Sequence, residues 1–310
     1  MTPGLPATAK IVEVGPRDGF QMESTFIPTE LKVDVINRLS RAGLRKIEVT
    51  SFVSPKAIPQ MADADEVMRR IERLPGVDYA ALIPNVRGAR RAVEAGADSL
   101  RLVVCCTETY NRRNVGMSIR ESVDQAREIL AIACAAGAMA EVTLALAFGC
   151  PFEAFVPEER VVGLAHEFAG LGVREICIAD SIGVANPIQM KRMMTRLSVE
   201  IAERAHLSLH LHDTRGLGLA NVVAALECGI DTFDASLGGL GGCPIMVGGT
   251  GNIPTEGAVN LCEELGVATG IDIAGIQAAA RLLQDFLGRE LPSPVLKSGT
   301  RRQLFDRIGS

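Results

Sequence analysis

The sequence is poor in aromatic residues and contains neither a long apolar run nor a concentrated basic region. There is no tryptophan among the 310 residues, and aromatic residues make up 4% of the chain, whereas 47% of it is hydrophobic. The interior must therefore be built from small and aliphatic side chains, which suits a buried parallel sheet. Because no stretch of about 18 apolar residues occurs, we expect no membrane-spanning helix.

The charge distribution argues against a nucleic-acid partner. The formal net charge is −5, and basic residues are scattered apart from the pairs Arg112-Arg113 and Arg301-Arg302. A nucleic-acid-binding surface carries more concentrated positive charge. The start of the chain has neither the apolar core of a signal peptide nor the arginine-rich pattern of a transit peptide. We therefore expect a cytoplasmic enzyme that acts on a small molecule.

The eight cysteines form no Cys-x-x-Cys pair. Most lie in apolar stretches and are expected to be reduced packing residues. Two differ, because Cys150 and Cys243 each stand between a glycine and a proline. Cys150 lacks a glycine run and is expected to be structural, whereas Cys243 lies in a glycine-dense segment that is typical of a loop that moves or approaches a ligand closely.

A repeated pattern of helix, glycine and short aliphatic run predicts the fold. Glycine ends a helix at low cost because it adopts the left-handed conformation. Five such runs, with three further aliphatic segments, give eight candidate strands separated by helical patterns, which predicts a (β/α)₈ TIM barrel. The candidate strands are Lys10 to Gly15, Lys46 to Thr50, Asp78 to Pro84, Ser99 to Val104, Glu141 to Ala147, Glu175 to Asp180, His206 to Asp213 and Asp231 to Ser236.

Helix-start signals and the C-terminal region complete the organisation. Ser118-Ile119-Arg120-Glu121 is a capping box, and an extra helical segment is predicted from Ile273 to Leu287. We expect residues 1–287 to form a catalytic barrel with this C-terminal helix. Residues 288–310 are expected to be a tail that is mobile or takes part in an interface.

Two histidines of one predicted strand, His210 and His212, point to the same face and could hold one metal ion. In a TIM barrel the active site lies at the carboxyl ends of the strands. Asp18 follows the first strand and Asn252 follows the eighth, so four oxygen and nitrogen ligands can converge. This mixed set suits Mg²⁺ or Mn²⁺ better than structural zinc. The alternative is a hydrogen-bonded polar cluster without metal.

Five separate motifs, in order along the chain, are similar to those of the 3-hydroxy-3-methylglutaryl-CoA lyase family of metal-dependent TIM-barrel enzymes. The resemblance runs from about Lys10 to Leu287. It implies cleavage of 3-hydroxy-3-methylglutaryl-CoA to acetyl-CoA and acetoacetate, a reaction of leucine degradation and ketone-body formation. The motifs are Val14 to Gln21, Glu48 to Lys56, Gly149-Cys150-Pro151, His210 to Asp213 and Gly239 to Pro244.

The resemblance also implies roles for individual residues. It places the divalent metal on the four ligands named above, with His210 also counted among the catalytic residues. Arg17 is implied to stabilise the enolate of the departing acetyl thioester, and Cys243 to move a proton to or from it. Glu48 and Asp180 are implied to surround the hydroxyl and carboxylate of the substrate. Asp213 is a candidate to orient a histidine from behind.

Several positions depart from the usual family pattern, and they surround the substrate rather than the metal. We therefore expect the cleavage chemistry to be retained, while a longer or differently branched 3-hydroxyacyl-CoA remains an alternative substrate. The departures are Ser181, Arg215, Leu217, Ile245 and Gly288-Arg289.

Two other functions are compatible with the fold. One is an acetyl-CoA-dependent synthase that condenses a 2-keto acid, although such enzymes lack the loop from Gly238 to Pro244. The other is a barrel that has lost turnover, which the complete set of candidate residues disfavours. An acyl-CoA substrate and a homodimer are the expected partners, with no nucleic acid and no membrane.

Overall fold

Eight parallel strands form a closed barrel in sequence order, and β8 pairs with β1. The computed structural model describes residues 4–201, 203–242 and 251–308. The predicted (β/α)₈ barrel is confirmed, and each predicted strand end lies within two residues of the observed one. The strands are β1 Lys10–Glu13, β2 Lys46–Ser51, β3 Asp78–Ile83, β4 Ser99–Cys105, β5 Met139–Ala145, β6 Glu175–Asp180, β7 His206–Leu211 and β8 Thr232–Ala235.

Helices alternate with the strands, and further helices follow the barrel. Both hydrogen bonds of the predicted capping box at Ser118 are present at the start of α5. In the described part of the chain no helix is both long and apolar enough to cross a membrane. The helices are α1 Thr29–Arg41, α2 Ala64–Arg70, α3 Val86–Glu94, α4 Glu108–Val115, α5 Ile119–Ala136, α6 Glu158–Gly170, α7 Pro187–Ile201, α8 Gly218–Leu226, α9 Thr255–Glu264, α10 Ile273–Leu287, α11 Pro294–Ser298 and α12 Arg301–Ile308.

Charged side chains fill the barrel interior on the side away from its mouth, where branched aliphatic residues are usual. Lys46 Nζ contacts Glu141 and lies 3.0 Å from Glu175 Oε2, and Arg101 Nη1 lies 2.6 Å from Asp234 Oδ2. Burial of these charges is tolerated only because each of them lies beside an opposite charge. We call this set the floor network; it comprises Lys46, Glu48, Arg101, Glu141, Glu175 and Asp234.

Two details differ from the sequence-based expectations. The start of the segment after α10 packs on the barrel, because Leu291 and Leu296 are buried in the main apolar core, whereas α12 has no buried residue. Cys134 is exposed on α5 and is not a packing residue. Composition alone does not reveal either placement.

Candidate active site

The turn after β1 brings Arg17 and Asp18 into the barrel mouth. Gly15–Gly19 form a short π-helical turn, with Pro16 at its start, and all five residues are buried. A Cβ on Gly15 would lie 2.6 Å from Glu13 Oε1, so only glycine fits where the chain leaves the strand. The turn thus places a cation and an anion side by side at the carboxyl end of the first strand.

Asn252 reaches the site because its segment pairs with the end of β7. The amide of Ile253 donates to the Leu211 carbonyl at 3.0 Å, and Asn252 forms an antiparallel bridge with His212. Gly241, with φ +106°, allows this approach, because a Cβ there would lie 2.5 Å from Asn252 Nδ2. Glycine is therefore required at position 241, where the backbone packs against the side chain of Asn252.

Three of the four predicted ligands converge. One ligand atom each from Asp18, His210 and His212 lies within 4.8 Å of the others, and all three residues are buried. Asn252 lies beside them, since its Nδ2 donates to Asp18 Oδ2 at 2.7 Å. We call these four residues the rim cluster.

Open acceptor positions in the rim cluster fit a divalent cation. The Nε2 atoms of His210 and His212 are 3.1 Å apart. Asn252 Oδ1 is buried without a hydrogen-bond partner. Leaving a buried acceptor unsatisfied is costly, so such an atom is suited to a ligand. A carboxylate, an amide oxygen and two imidazoles form a donor set typical of Mg²⁺ or Mn²⁺.

The electrostatics of the cluster also favour a cation. Burial, together with the neighbouring His210, lowers the pKa of His212 to about 3, so its imidazole is neutral and can act as a ligand. Burial alone would raise the pKa of Asp18, but Arg17 and the two histidines outweigh it and lower that pKa below its ordinary value. The site therefore presents an ionised carboxylate beside neutral imidazole at neutral pH.

Asp234 on β8, and not Asp213, is the carboxylate behind His210. His210 Nδ1 lies 3.1 Å from Asp234 Oδ2. The expectation for Asp213 was wrong, because its carboxylate accepts the Gly218 amide at 2.8 Å at the start of α8. The sequence analysis does not single out Asp234. An acidic residue inside an otherwise buried strand was the feature that could have identified it. A carboxylate in this position fixes the imidazole tautomer and leaves Nε2 free for a ligand.

Arg17 is held between two carboxylates. Its Nε donates to Glu48, and its Nη1 lies 2.5 Å from Asp18 Oδ1. Glu48 links Arg17 to the rest of the floor network, since its Oε2 is 3.1 Å from Arg101 Nη1. Burial would lower the pKa of Arg17, but Glu48 and Asp18 raise it. The guanidinium is thus fixed in place and cationic beside the rim cluster.

Asp180 is placed differently from the prediction. The Asp180 carboxylate accepts the amides of Val184 and Ala185, each at 2.9 Å, so it shapes the loop after β6. Burial raises its pKa. Cys243 lies outside the described residues, and its role stays a prediction. Cys150 is buried, with Sγ 3.2 Å from Thr107 Oγ1, which fits a structural role.

A cavity of about 770 Å³ opens at the barrel mouth. Arg17, Asp18 and both rim histidines line one side of it, together with Ser51 from the end of β2. Cavities of this size hold small-molecule ligands and cofactors. The rim cluster and Arg17 therefore face a space in which a substrate can bind.

Comparison with known proteins matches this architecture to one family. The family model described as HMGL-like matches residues 8–283. The hydroxymethylglutaryl-CoA lyase YngG of Bacillus subtilis (strain 168) is 42% identical over 288 residues, covering 93% of this chain and 96% of the relative. The cytoplasmic 3-hydroxy-3-methylglutaryl-CoA lyase of Mus musculus is 39% identical over 302 residues, covering 97% and 88% respectively.

Solved structures show the same likeness. The HMG-CoA lyase of Bacillus subtilis superposes with a TM-score of 0.92 at 40% identity, covering 97% of this chain and 99% of that chain. An HMG-CoA lyase of A. baumannii, in complex with coenzyme A and 3-methylmalate, gives a TM-score of 0.91 at 44% identity, covering 95% and 96%. With the family model matching most of its length, this chain belongs to the HMGL-like family.

Proposed function

We propose that this protein is a divalent-metal-dependent carbon-carbon lyase that cleaves 3-hydroxy-3-methylglutaryl-CoA to acetyl-CoA and acetoacetate. The observation that carries the proposal is the convergence of Asp18, His210 and His212 beside Arg17 in a chain of this family. The relatives named above are lyases for this thioester. The products are those of leucine degradation and ketone-body formation.

The rim cluster would hold the cation, with Asp18, His210, His212 and Asn252 as ligands. A divalent cation there supplies Lewis-acid polarisation of substrate oxygens and favours loss of the proton from the C3 hydroxyl. We propose Mg²⁺ or Mn²⁺, because the oxygen and nitrogen donors suit these ions.

Cleavage breaks the bond between C2 and C3 of the acyl group. As the C3 hydroxyl loses its proton, the C3 oxygen becomes the ketone of acetoacetate and the bonding electrons pass to C2 as a thioester enolate. Arg17 is fixed by Glu48 and Asp18, so its cationic guanidinium can stabilise this enolate without reorganising. Protonation at C2 then gives acetyl-CoA, and we assign that proton transfer to Cys243.

The roles of the two remaining carboxylates follow from their contacts. Glu48 acts by orienting Arg17. Asp180 acts by holding the loop of Val184 and Ala185, beside Ser181, which lines the cavity. His210 is positioned by Asp234 and serves as a ligand.

We also propose a cytoplasmic homodimer. Relatives include proteins named cytoplasmic and, in Gallus gallus, mitochondrial. The exposed apolar side chains of Phe305 and Ile308 on α12 are compatible with association of two copies. Light scattering of the purified protein would give the mass of the assembly.

The test of function is release of acetyl-CoA from 3-hydroxy-3-methylglutaryl-CoA by metal-free protein before and after addition of Mg²⁺ or Mn²⁺. We expect cleavage only after the metal is added. Absence of cleavage with either ion, or consumption of acetyl-CoA with a 2-keto acid instead, would overturn the proposal.

A further inference from the structure

Arg101 on β4 extends its side chain across the barrel interior. Side chains alternate along a strand, so Arg101 points inward while its neighbours Leu100 and Leu102 point towards the helices. In the closed ring of eight strands, β8 lies opposite β4. Arg101 Nη1 nevertheless lies 2.6 Å from Asp234 Oδ2 on β8, and the arginine is only 1% exposed. The long arginine side chain therefore joins two opposite walls of the barrel.

Two carboxylates lie against the same nitrogen of Arg101. Besides Asp234, Glu48 on β2 approaches it, with Oε2 at 3.1 Å from Nη1. Arg101 Nε donates to Glu141 Oε2 at 3.3 Å, which holds the guanidinium from a third direction. A planar guanidinium can meet several carboxylates at fixed angles, whereas an ammonium is a single point charge. Arg101 thus fixes the positions of Glu48 and Asp234 relative to each other.

Each of these two carboxylates in turn holds a residue of the proposed active site. Asp234 Oδ2, the atom that contacts Arg101, also lies 3.1 Å from His210 Nδ1. Glu48 Oε1 accepts a hydrogen bond from Arg17 Nε. Arg101 is therefore the central member of a continuous chain of contacts beneath the mouth. In order, the chain comprises His210, Asp234, Arg101, Glu48 and Arg17.

We propose that Arg101 is a positioning residue, which sets the spacing between the metal ligand His210 and the guanidinium of Arg17. This role presupposes the proposed lyase function, in which the C3 hydroxyl faces the rim cluster while the developing enolate faces Arg17. One substrate must reach both groups at once, so their separation decides how well either can act. Groups at such sites must be held within about 0.5 Å of the productive geometry. A shared support keeps that separation constant.

The experiment replaces Arg101 by lysine, which keeps the buried positive charge but cannot contact three carboxylates together. We expect Arg101→Lys to lower kcat for acetyl-CoA release, and the affinity of metal-free protein for Mn²⁺, each by about tenfold or more, as for other residues that support metal ligands. Leu39→Ala is the matched control, because loss of this buried side chain on α1 destabilises the fold and should change neither readout. Circular dichroism verifies that each variant is folded during the assays.

The two readouts separate the possible results. Wild-type kcat and wild-type Mn²⁺ affinity in folded Arg101→Lys would overturn the positioning role and leave the lyase function standing. A loss in only one of the two readouts would show that Arg101 supports one residue alone, and would overturn the shared role. Absence of acetyl-CoA release by the wild-type protein would overturn the lyase function itself.

Double variants test whether Arg101 acts through its two carboxylate partners. Asp234→Asn combined with Arg101→Lys should weaken Mn²⁺ binding no more than Asp234→Asn alone, because the single change already breaks the path to His210. Glu48→Gln combined with Arg101→Lys should likewise lower kcat no more than Glu48→Gln alone. Losses that multiply in either pair would show that Arg101 acts by another route, and would overturn the positioning role.

Discussion

The floor network and the rim cluster lie in one barrel interior, yet they differ in how their buried charges are paired. In the floor, each charged group has an opposite charge within 3.3 Å. Hydrogen bonding does not separate the two regions, because each contains buried atoms without a hydrogen-bond partner: Glu48 Oε2, Arg101 Nη2 and Asp234 Oδ1 in the floor, and Asn252 Oδ1 and His212 Nδ1 in the rim. Charge pairing does separate them: the floor groups neutralise one another, whereas the rim places neutral donor atoms beside the Asp18 carboxylate, a combination that can receive a cation.

Arg101 joins the two regions. Its Nη1 contacts Asp234, which supports His210, and Glu48, which supports Arg17. Burial would lower the pKa of Arg101, but Asp234 and Glu48 raise it, so it is a permanent cation. The residues at the mouth are thus held by a charge network beneath them, which contacts the proposed ligand His210 through Asp234.

We expect the largest effect on turnover, in the Arg17→Gln variant. Loss of the fixed cation should lower kcat for acetyl-CoA release by on the order of 10³ or more, whereas Mn²⁺ affinity should change little, because Arg17 supplies no ligand. Arg41→Gln is the matched control, since Arg41 forms an exposed ion pair with Glu72 and is far from the mouth. Near-normal turnover of Arg17→Gln would remove this residue from the mechanism.

We expect the next largest effect on the stability of the fold, in the Arg101→Met variant. Removal of the cation leaves Asp234 buried without its arginine partner and Glu48 with Arg17 alone, and the free energy of unfolding should fall by about 3–5 kcal/mol. Arg38→Met, which breaks the exposed pair with Asp34, should cost at most about 1 kcal/mol. Urea denaturation measures both. Equal stability of the two variants would show that the floor network is not the self-sufficient unit described above.

A smaller effect concerns the support of His210. Asp234→Asn keeps the shape of the side chain but removes the charge that fixes the imidazole, and should weaken Mn²⁺ binding by about 10- to 100-fold. Asp231→Asn is a close control, because Asp231 lies 3.3 Å from His206 Nε2 at the exposed opposite end of the barrel. Calorimetric titration with Mn²⁺ compares the two. Identical affinities would disprove the positioning role of Asp234.

The smallest effect is a change in pH dependence at Glu256, beneath the loop after β8. Its carboxylate accepts the Gly238 amide, and burial raises its pKa to about 7. The folded state therefore retains this proton to higher pH than the unfolded chain, so the stabilisation present below about pH 4.5 is lost as pH rises through about 7. Glu256→Gln should flatten the fall in unfolding free energy between pH 5 and 8, as measured by urea denaturation at several pH values. An unchanged slope would contradict this.

The barrel could be predicted from sequence because its signals are local. Glycines after helices, the capping box at Ser118 and short aliphatic runs are each read from neighbouring residues. The strand ends then gave the rim ligands, since parallel strands in a barrel bring their carboxyl ends together. Asp18 and the two histidines were found in this way and lie together in the structure.

The contacts between strands could not be predicted in the same way. That Asp234 rather than Asp213 supports His210 depends on the register between β7 and β8, which pairs His210 with Asp234. The floor network likewise joins residues from β2, β4, β5, β6 and β8 that are far apart in the chain. The sequence contains these charges, but only the closed barrel shows which of them are partners.

The most direct test of the account is titration of metal-free protein with Mn²⁺, followed by electron paramagnetic resonance and by acetyl-CoA release from 3-hydroxy-3-methylglutaryl-CoA in the same samples. We predict that a single tightly bound ion per chain appears together with activity, and that His212→Ala loses both. Full cleavage by metal-free protein, or an unchanged titration in His212→Ala, would contradict the assignment of the rim cluster as the metal site.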